Sequence, residues 1–250
     1  MHRDDISRLA HTHHPIAAPV GDTAVDRLLQ RALPAGSQSP TRARALDLGC
    51  GQAEWLLRTL AAHPHATADG VDISGPALDA ASAAAEARGL ADRLTLHQVP
   101  AADYAAPTPY DLVLSIGSVH AFGGLLPTLD AARAHLAPGG HVLIGDGYWE
   151  REPSPEAVEL LGDFRDLAGT VEQVTAAGWT PVYGHVSTRE ELDDYEWSWT
   201  GSLAAWALDR PEHPDRDHAL AVATAHRTEW LRAYRATWGF VTLLVRRTHD

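Results

Sequence analysis

Ala45-Leu46-Asp47-Leu48-Gly49-Cys50-Gly51-Gln52-Ala53-Glu54-Trp55-Leu56-Leu57 is a short apolar run that ends in an acid, turns on two glycines and opens a helical pattern. It reads as a strand, a tight turn and a helix whose amino end faces a ligand. Glycine at 49 and 51 lets the backbone approach that ligand closely, because no Cβ intervenes. Two neighbours narrow the ligand. Asp47 stands where the strand runs out, and a carboxylate there would repel the pyrophosphate of a dinucleotide. Val71-Asp72-Ile73 is a second short strand ending in an acid, at the distance where a Rossmann-type acid reaches ribose hydroxyls. The third dinucleotide-fingerprint glycine would fall at 54, and Glu54 is there instead. Two acids and a missing glycine favour a ligand with ammonium and sulfonium charges over NAD.

Outward from this turn the strand–helix alternation continues. Residues 67–73, 94–99, 110–116 and 141–145 read as further strands, with helices over 77–88 and 127–136 between them. Pro76 sits just inside the first of these helices and Gly89 ends it. Asp111-Leu112-Val113-Leu114-Ser115-Ile116 is apolar after its acid, as a strand buried on both faces should be. Upstream, residues 23–33 read as a helix with Asp22 as candidate N-cap, and 34–41 as a Pro/Gly/Ser linker. The pattern is α/β: a parallel sheet with helices on both faces.

These stretches, in order, resemble the successive motifs of class I S-adenosylmethionine (SAM)-dependent methyltransferases. The resemblance is carried by 45–51, 71–74, 110–115 and 136–140, and covers 42–147 and the terminal strand; it is weak over 1–40 and 150–235. It implies a Rossmann-like doubly wound sheet, mostly parallel with an antiparallel carboxy-terminal strand, in which 239–247 pairs with 179–186. It implies one domain over 1–250: an amino-terminal arm and helix (1–40), a SAM-binding core (42–147), a helical lid (150–235) and a last strand (239–247). By the same resemblance Asp47, Gly49 and Gly51, with Cys50 between them, line the methionine end of SAM. Asp72 takes the ribose hydroxyls, Ile73 one face of adenine, Ala101 and Ala102 border adenine, and Ser115 and Ile116 offer backbone groups. Two departures stand out. Ala53 replaces a frequent third glycine, and Pro100 stands where many members carry an acid for the adenine amino group.

The acceptor side is read from position. His120 follows the fourth strand and is the candidate base, or else a space-filler. Asp146, Tyr148 and Trp149 follow the fifth, at the carboxyl edge where ligands bind in such sheets. His14 lies in an arm read as folding over the pocket. Residues 190–208 place Leu192, Tyr195, Trp199, Leu203 and Trp206 on one helical face, and Trp197, Trp230 and Trp238 lie in or beside the same region. Either these aromatics are ordinary packing, or they wall the acceptor, with Trp199 as the named contact.

Composition bounds the rest. The 250 residues are 45% hydrophobic, enough for one domain with a full core. Lys+Arg 20 against Asp+Glu 33 gives a net charge of -13, which opposes nucleic-acid and anionic-membrane partners and suits a small molecule. The single cysteine excludes an internal disulfide. His11, His13 and His14 lack the acid or cysteine spacing of a metal site, so no metal is expected. Met1-His2-Arg3-Asp4-Asp5 lacks the order of a signal peptide and no stretch has the length of a membrane span, so the expected location is cytoplasmic. The expectation is a SAM-dependent methyltransferase moving a methyl group to a small-molecule acceptor, leaving S-adenosylhomocysteine (SAH). The alternatives are an NAD(P)-dependent oxidoreductase and a catalytically silent SAM-binding protein.

Overall fold

The computed structural model describes residues 1–33 and 43–249; the linker read over 34–41 lies outside them. In chain order the elements are α1 (Arg3–Ala10), α2 (Asp22–Ala32), β1 (Arg44–Leu48), α3 (Glu54–Ala62), β2 (Thr67–Asp72), α4 (Gly75–Ala87), β3 (Leu94–Gln98), β4 (Tyr110–Ile116), α5 (Leu125–His135) and β5 (Leu136–Trp149). They continue as α6 (Pro155–Leu161), α7 (Leu167–Ala176), β6 (Trp179–Val186), α8 (Arg189–Leu208), α9 (Arg216–Glu229) and β7 (Trp238–Arg247). Among the described residues seven strands form one sheet in the order β3-β2-β1-β4-β5-β7-β6. β1 to β5 run parallel, and β7 lies antiparallel to both β5 and β6. The strand order reverses between β1 and β4, so their carboxyl ends open a crevice where ligands bind in such sheets.

Alternation along each strand feeds two cores. Leu112, Leu114 and Leu143 pack with Val25, Leu28, Trp55 and Leu56 on one face of the sheet. Leu46, Leu48, Val113, Val142 and Ile144 pack with Leu129, Val174 and Trp179 on the other. A strand covered on both sides must be apolar at every position, which is why these runs read as continuous.

Three elements differ from the sequence reading. Gly21, not Asp22, is the N-cap of α2, and Asp22 pairs instead with Arg58 of α3. β5 does not stop at 145: β7 pairs with it as far as Trp149, with Asp146 opposite Val241 and Tyr148 opposite Gly239. Within the region read as a lid over 150–235, β6 pairs with β7 in the sheet, as the resemblance implies, while α7 is not part of the cover: its Val174 joins the sheet core. The helical cover is therefore α8, α9 and the π-helical turn Trp230–Tyr234. Its core is polar as well as apolar. Glu196, 4% exposed, accepts from Tyr234 Oη at 3.0 Å and lies 2.8 Å from His226 Nε2. The i to i+5 bond from the Arg235 N–H to the Trp230 carbonyl closes the π turn.

Candidate active site

Backbone donors hold the first turn. The Gly49 and Cys50 N–H groups both donate to the Val71 carbonyl, at 2.8 and 3.0 Å. The Gly51 N–H donates to Asp72 Oδ2 at 2.8 Å, and the Ser74 N–H to Asp72 Oδ1 at 2.8 Å. Each Asp72 oxygen thus fixes one turn and keeps an acceptor position free, since a carboxylate offers about four. Hydroxyls fasten the other side. Ser118 Oγ donates to the Leu48 carbonyl at 2.8 Å, and Ser115 Oγ lies 3.2 Å from that carbonyl and 2.7 Å from Ser118 Oγ. Ser115 therefore spends its hydroxyl inside the sheet, and this two-serine clasp is invisible in the sequence.

The two glycines have different reasons. A Cβ on Gly49, at φ +90°, would lie 2.5 Å from Ser118 Cβ. A Cβ on Gly51, at φ +52°, would meet nothing within 4 Å. Gly51 is the open cradle, and Gly49 is bare because of its neighbour. Ala53 adopts φ +58°, the left-handed conformation that suits the glycine it replaces. Cys50 points into the core, near the bare face of Gly70, and burial pushes its thiol well up, which suits a filler rather than a nucleophile. Beside Asp72, Ile73 is 65% exposed, an apolar face left free at the lip of the crevice. Ala101 is buried, and Ala102 is exposed.

Asp47 is 2% exposed. Burial, and then the Asp72 carboxylate, push its carboxyl up from 3.8 to about 7. In the unfolded chain this group ionises above its usual value; in the folded protein it ionises only around neutrality. Stability is therefore lost as pH rises from about 4 to 7, and the loss is complete above that. A cation placed against Asp47 would reverse the penalty. Asp47→Asn is expected to stabilise the ligand-free protein on the order of 2 kcal/mol near pH 8, with no gain near pH 4. Melting curves at the two pH values check this.

A cavity of about 850 Å³ adjoins the carboxyl ends of β4 and β5, within the size range of small-molecule sites. Gly117, Val119 and His120 line it from the turn after β4, Asp146 and Gly147 from β5, and Trp238 and Phe240 from β7. The arm supplies Ala17 to Pro19, and α8 supplies Tyr195. Two arm histidines place that tyrosine: His11 Nε2 lies 3.2 Å from its hydroxyl, and the His14 ring meets it edge-on at 5.5 Å. The arm itself is tied down by the Trp55 indole, which donates to the Ile16 carbonyl at 3.2 Å.

The other acceptor-side expectations come out differently. His14 lies behind Tyr195, in a recess shared with Asp194. Tyr148 and Trp149 are 4% and 5% exposed and do not line the cavity. The pairing with β7 sends Tyr148 onto the bare face of Gly239, while Trp149 packs edge-on against Phe164. Trp199 is not in the cavity either; it stacks on His226 with ring centroids 4.1 Å apart. Trp197 meets Trp230, Trp206 meets His213, and of these tryptophans only Trp238 reaches the cavity. Tyr195 and Trp238, two of the aromatics read as packing or acceptor wall, do line the cavity, and Phe164 and Phe240, which the sequence reading did not place there, join them.

Trp199→Ala should accordingly lower stability by about 2–3 kcal/mol, less than a full core deletion because the ring is half-buried, and leave SAH affinity unchanged. A selective loss of SAH binding would contradict the placement.

Comparison with known proteins adds the lineage. A family model described as a methyltransferase domain matches residues 46–142. The uncharacterized protein YjhP of Escherichia coli K12 is 30% identical over 185 residues, 72% of this chain and 73% of that one. Methyltransferase ungE' of Aspergillus campestris is 30% identical over 152 residues, 58% of this chain and 43% of its own length. In three dimensions the chain is similar to a SAM-dependent methyltransferase from Geobacter sulfurreducens crystallised with SAH, at TM-score 0.86 and 23% identity, covering 97% of this chain and 98% of that one. The crystal structure of YjhP superposes at TM-score 0.84 with 24% identity, over 97% and 99% of the two chains.

Proposed function

The chain belongs to the SAM-dependent methyltransferase family, and on that premise we propose that it methylates a small-molecule acceptor held in the cavity beside His120 and Asp146. The observation that carries the acceptor side is the cavity itself: about 850 Å³, half open to solvent, bordered by the arm and Tyr195 of α8, and adjoining the turn after β4. Its volume matches a small molecule.

SAM, when bound, supplies a methyl group already activated on a sulfonium. The residues of the first two turns fit it. The buried Asp47 gains from a facing ammonium, and the two free acceptor positions on Asp72 match a pair of ribose hydroxyls. Exposed Ile73 offers a flat apolar face to a purine. Pro100, at the amino end of a 3-10 turn over Ala101–Asp103, brings no carboxylate to the adenine amino group, so that contact is left to the backbone. Ser115 and Ile116 offer backbone groups at the end of β4. The remaining tasks are to exclude water, align the acceptor and take one proton. Tyr195 and residues 17–19 close the cavity, and His120, exposed within it, is the base.

Labelled SAM incubated with a cell extract tests the assignment. Methyl label appearing in the low-mass fraction is the expected result; label confined to protein or nucleic acid overturns the small-molecule reading. Among the described residues no helix is long and apolar enough to cross a membrane.

A further inference from the structure

Asp146 stands in the cavity wall without a countercharge. Its Oδ1 accepts the Gly147 N–H at 2.8 Å, a local bond that leaves Oδ2 free. None of the ion pairs among the described residues uses it. Burial raises its carboxyl to about 6, with only that local bond opposing the rise. At neutral pH it is therefore mostly ionised and poorly solvated, the state in which a carboxylate gains most from a cation.

The same cavity carries aromatic rings from three elements: Tyr195 of α8, Trp238 and Phe240 of β7, and Phe164 of the segment before α7. Ring faces attract cations and are indifferent to neutral ligands of the same shape. The cavity's other charged groups, Asp163 and Arg165, are exposed and so lie at its rim. A phenolate or carboxylate acceptor would meet Asp146 as a like charge, and a neutral alcohol would offer it a hydrogen bond but no countercharge.

Resting on the methyl-transfer reading above, we propose that the acceptor is an amine, received in its protonated form on the Asp146 carboxylate and against the rings of Tyr195, Trp238 and Phe240. Asp146 in this role selects and orients the acceptor nitrogen.

The test uses three probes of one shape on the SAH-loaded full chain at neutral pH: 2-phenylethylamine, 2-phenylethanol and phenylacetate. Calorimetry is expected to show the amine binding at least about tenfold tighter than the alcohol, with phenylacetate weakest. In Asp146→Asn, which keeps the Gly147 hydrogen bond, the amine preference should vanish while the melting temperature and SAH affinity hold. Asp146→Glu should restore part of the preference. An amine that binds no better than the alcohol, that fails to bind at millimolar concentration, or whose preference survives Asp146→Asn overturns the proposal. SAH binding is measured in the same samples. Its loss in the parent protein sinks the transferase reading, whereas SAH bound without amine preference sinks only this inference.

Discussion

His120→Ala is expected to slow methyl transfer by about 10²–10⁴-fold, the usual contribution of a positioned base, while SAM affinity stays within a few-fold of the parent. The ring sits in the 3-10 turn Val119–Phe122, directly after β4, and lines the cavity opposite no competing side-chain partner among the described hydrogen bonds. That turn is stiffened at its start by the Ser118 clasp on Leu48, so the imidazole is held at the strand end. An acceptor that enters protonated must lose a proton before its lone pair can attack, and on the proposed reading the His120 imidazole, which lines the cavity, takes it. His120→Gln, which keeps a polar group of similar size, should be nearly as slow as the alanine variant. A rate within a few-fold of the parent for either variant would reduce His120 to a filler and leave alignment alone as the source of catalysis.

Gly49→Ala should be strongly damaging for so small a change. The added methyl would lie 2.5 Å from Ser118 Cβ and 2.7 Å from Ser118 Oγ, so no rotation of the serine relieves it. The residue also sits at φ +90°, where any Cβ is strained. Together these cost about 3–5 kcal/mol, or else force the turn open and break the Leu48 clasp. Ser118→Ala should not rescue the variant, because its Cβ remains. Ser118→Gly should rescue part of it, and the coupling between the two changes is the diagnostic reading from paired melting curves. Additive losses would mean that Gly49 matters for some reason other than Ser118.

The first two turns were readable because their chemistry is local. Asp47, Gly49, Gly51 and Asp72 lie within single strand–turn–helix units, and the structure keeps each at the strand end where its spacing puts it. The reason for Gly49 was not local: its clash partner is 69 positions away in sequence, after another strand, so the clasp had no signal to read. Tyr148 and Trp149 were misplaced because β5 ends where β7 stops pairing with it, and the length of that pairing belongs to both strands. The aromatic stripe of α8 was read correctly as a stripe but not as two. At about 1.5 Å per residue, a helix of this length runs on past the cavity. Tyr195 meets the arm and the cavity, whereas Trp199, one turn on, already lies between α8 and α9. Periodicity fixes which residues share a face, and only the neighbours decide what each part of that face touches.

The two strand-end acids and the glycine turn are expected to hold SAM, and a single titration checks this. SAM and SAH are titrated calorimetrically into the parent protein and into Asp72→Ala, with melting curves on the same samples. One site per chain is predicted, weakened about 10–100-fold in Asp72→Ala by loss of charge-assisted hydrogen bonds worth roughly 1.5–3 kcal/mol. The melting temperature should fall only modestly, since the Gly51 and Ser74 N–H groups lose their acceptor at a solvent-facing edge. Unchanged SAM affinity in Asp72→Ala, or no binding of SAM or SAH to the parent protein, would contradict this placement of the cofactor.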